Sequence, residues 1–171
     1  GRGARSGILI RDAEALERME KVDTLVIDKT GTLTEGKPKV VAVVAADGFA
    51  RNELLRLAAS VERASEHPLA FAILNAAKEE SIELGDVQNF DSPVGKGAIG
   101  TVDGRRIVIG NAVIMQQSNI AIAALEAEAR TQRERGATAI YVAGDGRAAG
   151  VIAIADPVKP SAQDALRRLR D

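Results

Sequence analysis

Two hydrophobic periods divide the chain. Residues 51–64 carry Leu54, Leu55, Leu57, Ala58 and Val61 at helical spacing, and after Pro68 an apolar side recurs as Leu69, Phe71, Ala72, Ile73, Ala76 and Ala77. Both stretches predict amphipathic helices, each with one stripe for a core. From 87 to 110 the period shortens. Apolar runs at 87–90, 97–102 and 105–109 alternate with glycines and predict strands, and the Asp103-Gly104 pair predicts a tight hairpin between the last two. Runs at 139–143 and 148–154 predict a second hairpin across Asp145-Gly146, and the run at 40–45 predicts one more strand, ended by the Asp47-Gly48 turn. Asn111 opens a short helix, 121–135 is a longer charged one ended by Gly136, and Ser161 caps a last helix over 162–170.

Two breaker clusters, Glu35-Gly36-Lys37-Pro38 and Asp156-Pro157-Val158-Lys159-Pro160, bracket most of these elements. Ahead of the first lie a Gly- and Arg-rich lead at 1–7, a helix over 13–19 capped by Asp12, and the apolar run 22–27, which predicts a short buried strand. The simplest topology is an inserted domain of mixed antiparallel sheet and helices at 37–154. Its two stalks return to one parental α/β domain made of 1–36 and 155–171. The overall class is α/β.

Composition narrows the chemistry. Of 171 residues 46% are hydrophobic, enough for a core, and the net charge of −1 argues against a nucleic-acid partner held by bulk electrostatics. The chain has no cysteine and a single histidine, so it has no disulfide framework, no thiolate metal site and no histidine-built zinc or copper site. No apolar run approaches the roughly 20 residues that span a bilayer, and no signal peptide is visible, so the chain reads as soluble.

The most informative stretch is Asp28-Lys29-Thr30-Gly31-Thr32-Leu33-Thr34. An Asp at the end of a buried strand, followed by small residues and a Gly, sits on a turn at the carboxyl edge of a sheet, where open α/β sheets bind ligands. Backbone N–H groups and Thr hydroxyls there can cradle a phosphoryl group, and the Asp28 carboxylate is a candidate nucleophile. A polar turn capped by an Asp is the plainer reading. The heptapeptide resembles the phosphorylation signature of P-type ATPases. That resemblance implies that Asp28 accepts the γ-phosphoryl group of ATP, with Lys29 and Thr30 beside it. It also implies a Mg²⁺ site to which Asp28 and Thr30 belong, incomplete here because the later T-G-D and G-D-G-x-N-D segments of such ATPases are not in this chain. In related phosphatases of the haloacid dehalogenase superfamily an acid–base Asp stands where this chain has Thr30. A threonine transfers no proton near neutral pH, so a phosphoaspartate on Asp28 would persist.

Two further constellations suit a nucleotide. Pro68 belongs in a first helical turn, which puts Ser65, Glu66 and His67 around a helix start, five residues or fewer from Glu62. Such a group can read an adenine edge, or simply be a capped helix start with a solvent-facing His. Gly95-Lys96-Gly97, with Gly110-Asn111 later, allows close backbone approach to a flat ligand, or simply turns between strands. Glu62, Ser65, His67 and Pro68 resemble the His-Pro motif of heavy-metal P-type ATPases, in which the Glu and His positions contact adenine. Gly95, Gly97, Gly110 and Asn111 match that family's pocket glycines and the Asn after them; Gly100 matches no family role. Aromatic residues are only 2% of the chain, so packing on glycine backbone and aliphatic side chains replaces ring stacking.

Asp156, Pro157 and Lys159 resemble the family's hinge, although an ordinary Pro-rich stalk fits them equally. The resemblance thus implies a nucleotide-binding domain at 37–154 inserted in an incomplete Rossmann-like phosphorylation domain. ATP and Mg²⁺ would be its cofactors and ATP, ADP or AMP its ligands. The actuator, the membrane helices and the rest of the phosphorylation domain of a parent pump would be its partners, on the cytoplasmic side of a membrane. Alone, such a fragment would bind nucleotide with little turnover. The Ala13–Val22 stretch looks most like the copper-exporting branch, with zinc, cadmium and cobalt open. A haloacid dehalogenase-type phosphatase with an inserted cap, and a non-catalytic nucleotide sensor, are the alternatives.

Overall fold

The computed structural model describes Asp12, Glu14, Glu17, Arg18 and residues 20–170, with Arg170 described by its backbone alone. The expected lead at 1–7 lies outside these residues. Of the helix expected over 13–19 only Glu14, Glu17 and Arg18 lie within them; all three are helical, and the Glu14 N–H donates to Asp12 Oδ1 at 3.0 Å.

Six strands form one sheet: β1 (Lys39–Ala45), β2 (Val87–Asp91), β3 (Gly97–Val102), β4 (Arg105–Gly110), β5 (Thr138–Gly144) and β6 (Arg147–Ala155). Their order is β1-β6-β5-β4-β3-β2. All five pairings are antiparallel, as the sequence leads one to expect. The reason is that each neighbouring pair is joined either by a hairpin or by a return from the opposite end. Asp103 and Asp145 hold φ of 50° and 49°, and Gly104 and Gly146 both hold 77°. Two residues with positive φ form the hairpin turn whose twist matches the flanking strands.

Both faces of the sheet are covered. On one lie α1 (Arg51–Glu62) and α2 (Pro68–Glu79), whose stripes bury Leu54, Leu57, Val61 and Ile73 against Ile107, Ile109 and Ile152. On the other lie α3 (Ala112–Gln117), a short 3₁₀ turn at Ala123–Leu125 and α4 (Glu126–Glu134), which meet Val108, Tyr141 and Val151. The alternation of Ile107 and Ile109 with Val108 is a period-2 strand serving two cores. Burying the larger side chains contributes about 1.5–3 kcal/mol each. Gly100 finds its role here: a Cβ on it would lie 2.5 Å from Val87 Cγ2 and 3.3 Å from Val61 Cγ2, so the missing side chain lets α1 settle on β3.

Three expectations change. The charged helix expected over 121–135 is split into the 3₁₀ turn and α4. The last helix, α5 (Pro160–Arg170), begins at Pro160 rather than behind Ser161, because proline lacks the N–H that a first turn leaves unbonded. Residues 22–27 form no strand, and Val26 is 93% exposed. A buried strand needs neighbours on its edges and cover on its faces, and among the described residues none supplies them. Beyond that run, Thr34 pairs with Val158 of the returning stalk in an isolated antiparallel bridge.

Candidate functional site

The site begins where α1 ends. Glu62 is the last residue of α1, and though charged it is only 8% exposed. The chain then turns, with the Ser65 N–H donating to the Glu62 carbonyl at 2.9 Å and the His67 N–H donating to Ser65 Oγ at 3.2 Å. His67 is the N-cap of α2: its Nδ1 accepts the Leu69 N–H at 3.2 Å, and Pro68 occupies the first turn. With Nδ1 an acceptor, the neutral ring carries its proton on Nε2, which is left as a donor. Burial pushes the Glu62 carboxyl above the ordinary glutamate range, while a hydrogen bond from Ser65 and the nearby His67 pull it back. A buried carboxyl acceptor and an imidazole donor thus stand side by side.

The opposite wall is backbone. Gly97 and Gly110 face each other across β3 and β4, with φ of 146° and 148°. A Cβ on Gly97 would lie 1.9 Å from the Ile109 carbonyl oxygen, and one on Gly110 would lie 2.1 Å from that of Lys96. Their bareness therefore serves the close approach of two strands, which leaves a flat backbone surface. Asn111 closes this corner. Its Oδ1 accepts from the Val113 and Ile114 N–H groups, capping α3, and its Nδ2 donates to the Gly95 carbonyl at 3.0 Å. The side chain of Asn111 is engaged with the protein's own backbone, so it shapes the wall.

These residues, far apart in sequence, enclose one cleft of about 280 Å³ lined by Glu62, Ser65, His67, Gly95, Gly97, Gly110 and Asn111. Sequence reasoning missed Leu69, Ser92, Ile109, Thr138 and Ile140, which line it too. The missing signal was strand order: only with β5 beside β4, pairing Gly110 with Tyr141, does the alternate residue Ile140 reach this wall.

Asp28, Lys29 and Thr30 lie elsewhere, exposed, and line neither this cleft nor a second one between the start of β1 and α2. Their loop is fixed from the returning stalk. Asp156 accepts from the Thr34 hydroxyl, from the Gly36 N–H at 3.1 Å and from the Lys37 N–H at 3.0 Å. These bonds, the Thr34 hydroxyl first among them, hold the Asp156 carboxyl below the ordinary aspartate range. Lys159 Nζ donates to the Gly31 carbonyl at 2.6 Å, and the Pro157 carbonyl accepts from the Glu35 N–H at 2.8 Å. Among the described residues no three His, Cys, Asp or Glu side chains gather where a metal ion could be held. Mg²⁺ asks for six oxygen ligands in near-octahedral array, and Asp28 brings one carboxylate. The residues present do not make that site.

A family model described as haloacid dehalogenase-like hydrolase matches residues 22–171. The chain is 52% identical over 170 residues to a silver exporting P-type ATPase of Salmonella typhimurium, covering 99% of this chain and 21% of that protein. It is 49% identical over 170 residues to a copper-exporting P-type ATPase of Legionella pneumophila, covering 99% of this chain and 23% of that protein. It therefore spans about a fifth of the length of these curated relatives. Among solved structures, that of a zinc-transporting PIB-type ATPase in the E2.Pi state superposes with a TM-score of 0.84 at 34% identity, over 98% of this chain and 27% of that one. Among the described residues no helix is long and apolar enough to cross a membrane. The chain belongs to the haloacid dehalogenase-like hydrolase family.

Proposed function

We propose that this chain is the adenine-nucleotide-binding segment of a heavy-metal pump that passes the γ-phosphoryl group of ATP to Asp28. The observation that carries the reading is the convergence of Glu62, Ser65, His67, Gly95, Gly97, Gly110 and Asn111 on one cleft. Its volume of about 280 Å³ lies near the low end of small-molecule sites, about 300–1,000 Å³. That suits a base and its sugar, with the phosphates outside. Residues 37–154 act as the nucleotide-binding unit, 1–36 and 155–171 belong to the phosphorylation domain, and Asp156, Pro157 and Lys159 are the hinge. Lys29 and Thr30 flank the nucleophile. Mg²⁺ held mainly by other parts of the pump neutralises charge on the phosphates. Copper(I) or silver is the cargo, moved from the cytoplasmic side, by likeness to the silver- and copper-exporting relatives.

Calorimetric titration of the chain tests this. AMP, ADP and ATP should bind with similar affinity without Mg²⁺, and GTP at least about tenfold more weakly, since a site that pairs one base edge leaves groups unpaired with another. His67→Asn keeps a good N-cap while removing the Nε2 donor, so it should leave the fold intact and weaken AMP binding about five- to tenfold. Equal affinities for ATP and GTP would defeat the reading.

A further inference from the structure

The cavity between the start of β1 and α2 has no part in the nucleotide reading, yet it is the larger of the two, at about 470 Å³ against about 280 Å³. That volume lies within the range of small-molecule sites, about 300–1,000 Å³. Val40 of β1 and Ala72 and Ala76 of α2 give it an apolar lining. Phe71 belongs to the same lining and is 58% exposed, whereas Phe49 and Phe90 pack against the core of the sheet. An aromatic ring left in water on the wall of a concavity is the group that a flat apolar ligand covers.

The rim decides the charge of that ligand. Lys39 Nζ is paired with Glu35 Oε2 at 3.2 Å, but the Lys37 ammonium has no partner among the described residues. The root of Lys37 is fixed, because its N–H donates to Asp156 Oδ1 at 3.0 Å. The acidic residue of the lining is Glu79, and it stands at the other end. Val40 and Thr138 both pair with Ile154, and Thr138 lines the cleft with His67, so β1 starts where α2 starts. Glu79 ends the 12 residues of α2, about 16 Å further along. Charges in water are screened over about 8–10 Å, so a negative group near Lys37 feels the lysine and hardly feels Glu79.

We propose that this cavity is a second ligand site, which takes a flat aromatic anion with its rings against Phe71 and the apolar lining and its anionic group met by Lys37. The two cavities have no lining residue in common, so the proposal does not rest on the nucleotide reading.

The probe is anilinonaphthalene sulfonate, titrated into the chain and followed by its fluorescence. One equivalent should bind. Phe71→Ser, which touches neither core, should bind it at least about tenfold more weakly without a change in melting temperature. Lys37→Gln should weaken it about two- to fivefold, the size of an exposed ion pair. Phenylnaphthylamine, which has the same rings and no sulfonate, should bind the parent and Lys37→Gln alike. Nuclear Overhauser contacts from the dye should reach the Phe71 ring and the methyls of Ala72 and Ala76. Contacts to Ile109 and Ile140 instead would put the dye in the nucleotide cleft and overturn the proposal. So would an adventitious dye only, seen as several equivalents that Phe71→Ser leaves unmoved, or a parent chain that binds none. A sulfonate affinity indifferent to Lys37→Gln would overturn the anionic class of the ligand.

Discussion

The cleft and the Asp28 loop are built in opposite ways. Around the cleft the walls are strand backbone and helix ends: Gly97 and Gly110 touch through their main chains, Asn111 clamps Gly95, and His67 caps the helix it starts. Each of these features is over-determined by the sheet and its two cores. The Asp28 loop has no core of its own. Residues 28–32 are exposed, the run before them lacks a sheet, and its shape rests on the hydrogen bonds from Asp156, Pro157 and Lys159. One region is pre-formed by packing, and the other is held by its connection to the second stalk. Binding groups suit the first construction because rigidity limits the ordering cost on association. On the role proposed for Asp28, a loop that presents its carboxylate to changing partners suits the second.

The largest test of this contrast exchanges a glycine in each region. Gly97→Ala pushes a methyl into the Ile109 carbonyl at positive φ, and should cost about 3 kcal/mol or more in chemical denaturation while abolishing nucleotide binding. Gly31→Ala also meets positive φ, at 77°, but nothing stands within 4 Å of its Cβ. It should cost only the left-handed strain of about 1–2 kcal/mol, relieved by movement of an exposed loop. Equal losses would erase the distinction between the regions.

An intermediate effect concerns Glu62. Its folded carboxyl takes up protons more readily than the unfolded one, so between the two values the folded state holds more protons and stability falls as pH rises. The cost begins near pH 4, grows as pH passes the raised folded value, and is constant above it. Glu62→Gln should therefore melt higher than the parent at neutral pH, with the gap closing near pH 4, while AMP affinity drops. A melting gap independent of pH would show that Glu62 carries no ionisation penalty.

The smallest effect on global stability belongs to Asp156→Ala. The sheet should melt almost unchanged, whereas amide exchange at Gly36 and Lys37 should accelerate, since both N–H groups lose their acceptor. In the parent the Asp156 carboxyl is held below its ordinary value, so this protection is complete above about pH 4 and is lost only as pH falls through the lowered value. Unchanged exchange rates in the variant would mean that the stalk pairing, and not Asp156, fixes the loop.

Most of the sheet was legible in the sequence because its punctuation was local. Asp103-Gly104 and Asp145-Gly146 announce their turns within two residues, and the observed span of β3, Gly97–Val102, is the span its apolar run predicts. The strand expected at 22–27 was misread for a non-local reason: its apolar run records a burial that neighbouring strands must provide. At the site, the motif residues of Glu62, Ser65 and His67 were readable from Pro68, which fixes a helix start. The roles of Gly97, Gly100 and Asn111 were not, because each is decided by an atom far away in the chain: the Ile109 carbonyl, Val61 and Gly95 respectively.

The stalks carry one more consequence. β1 begins and β6 ends side by side, with Lys39 paired to Ala155, so everything between them departs from and returns to the flanking chain through a gap no wider than one strand spacing, about 5 Å. To the flanking segments the whole stretch occupies the footprint of an ordinary hairpin, and its length adds little to the cost of closing that gap. On the domain division proposed above, such a module should be exchangeable for another of different size, and any turning of it against the flanking segments would pass through a single narrow waist, as a door turns on one hinge.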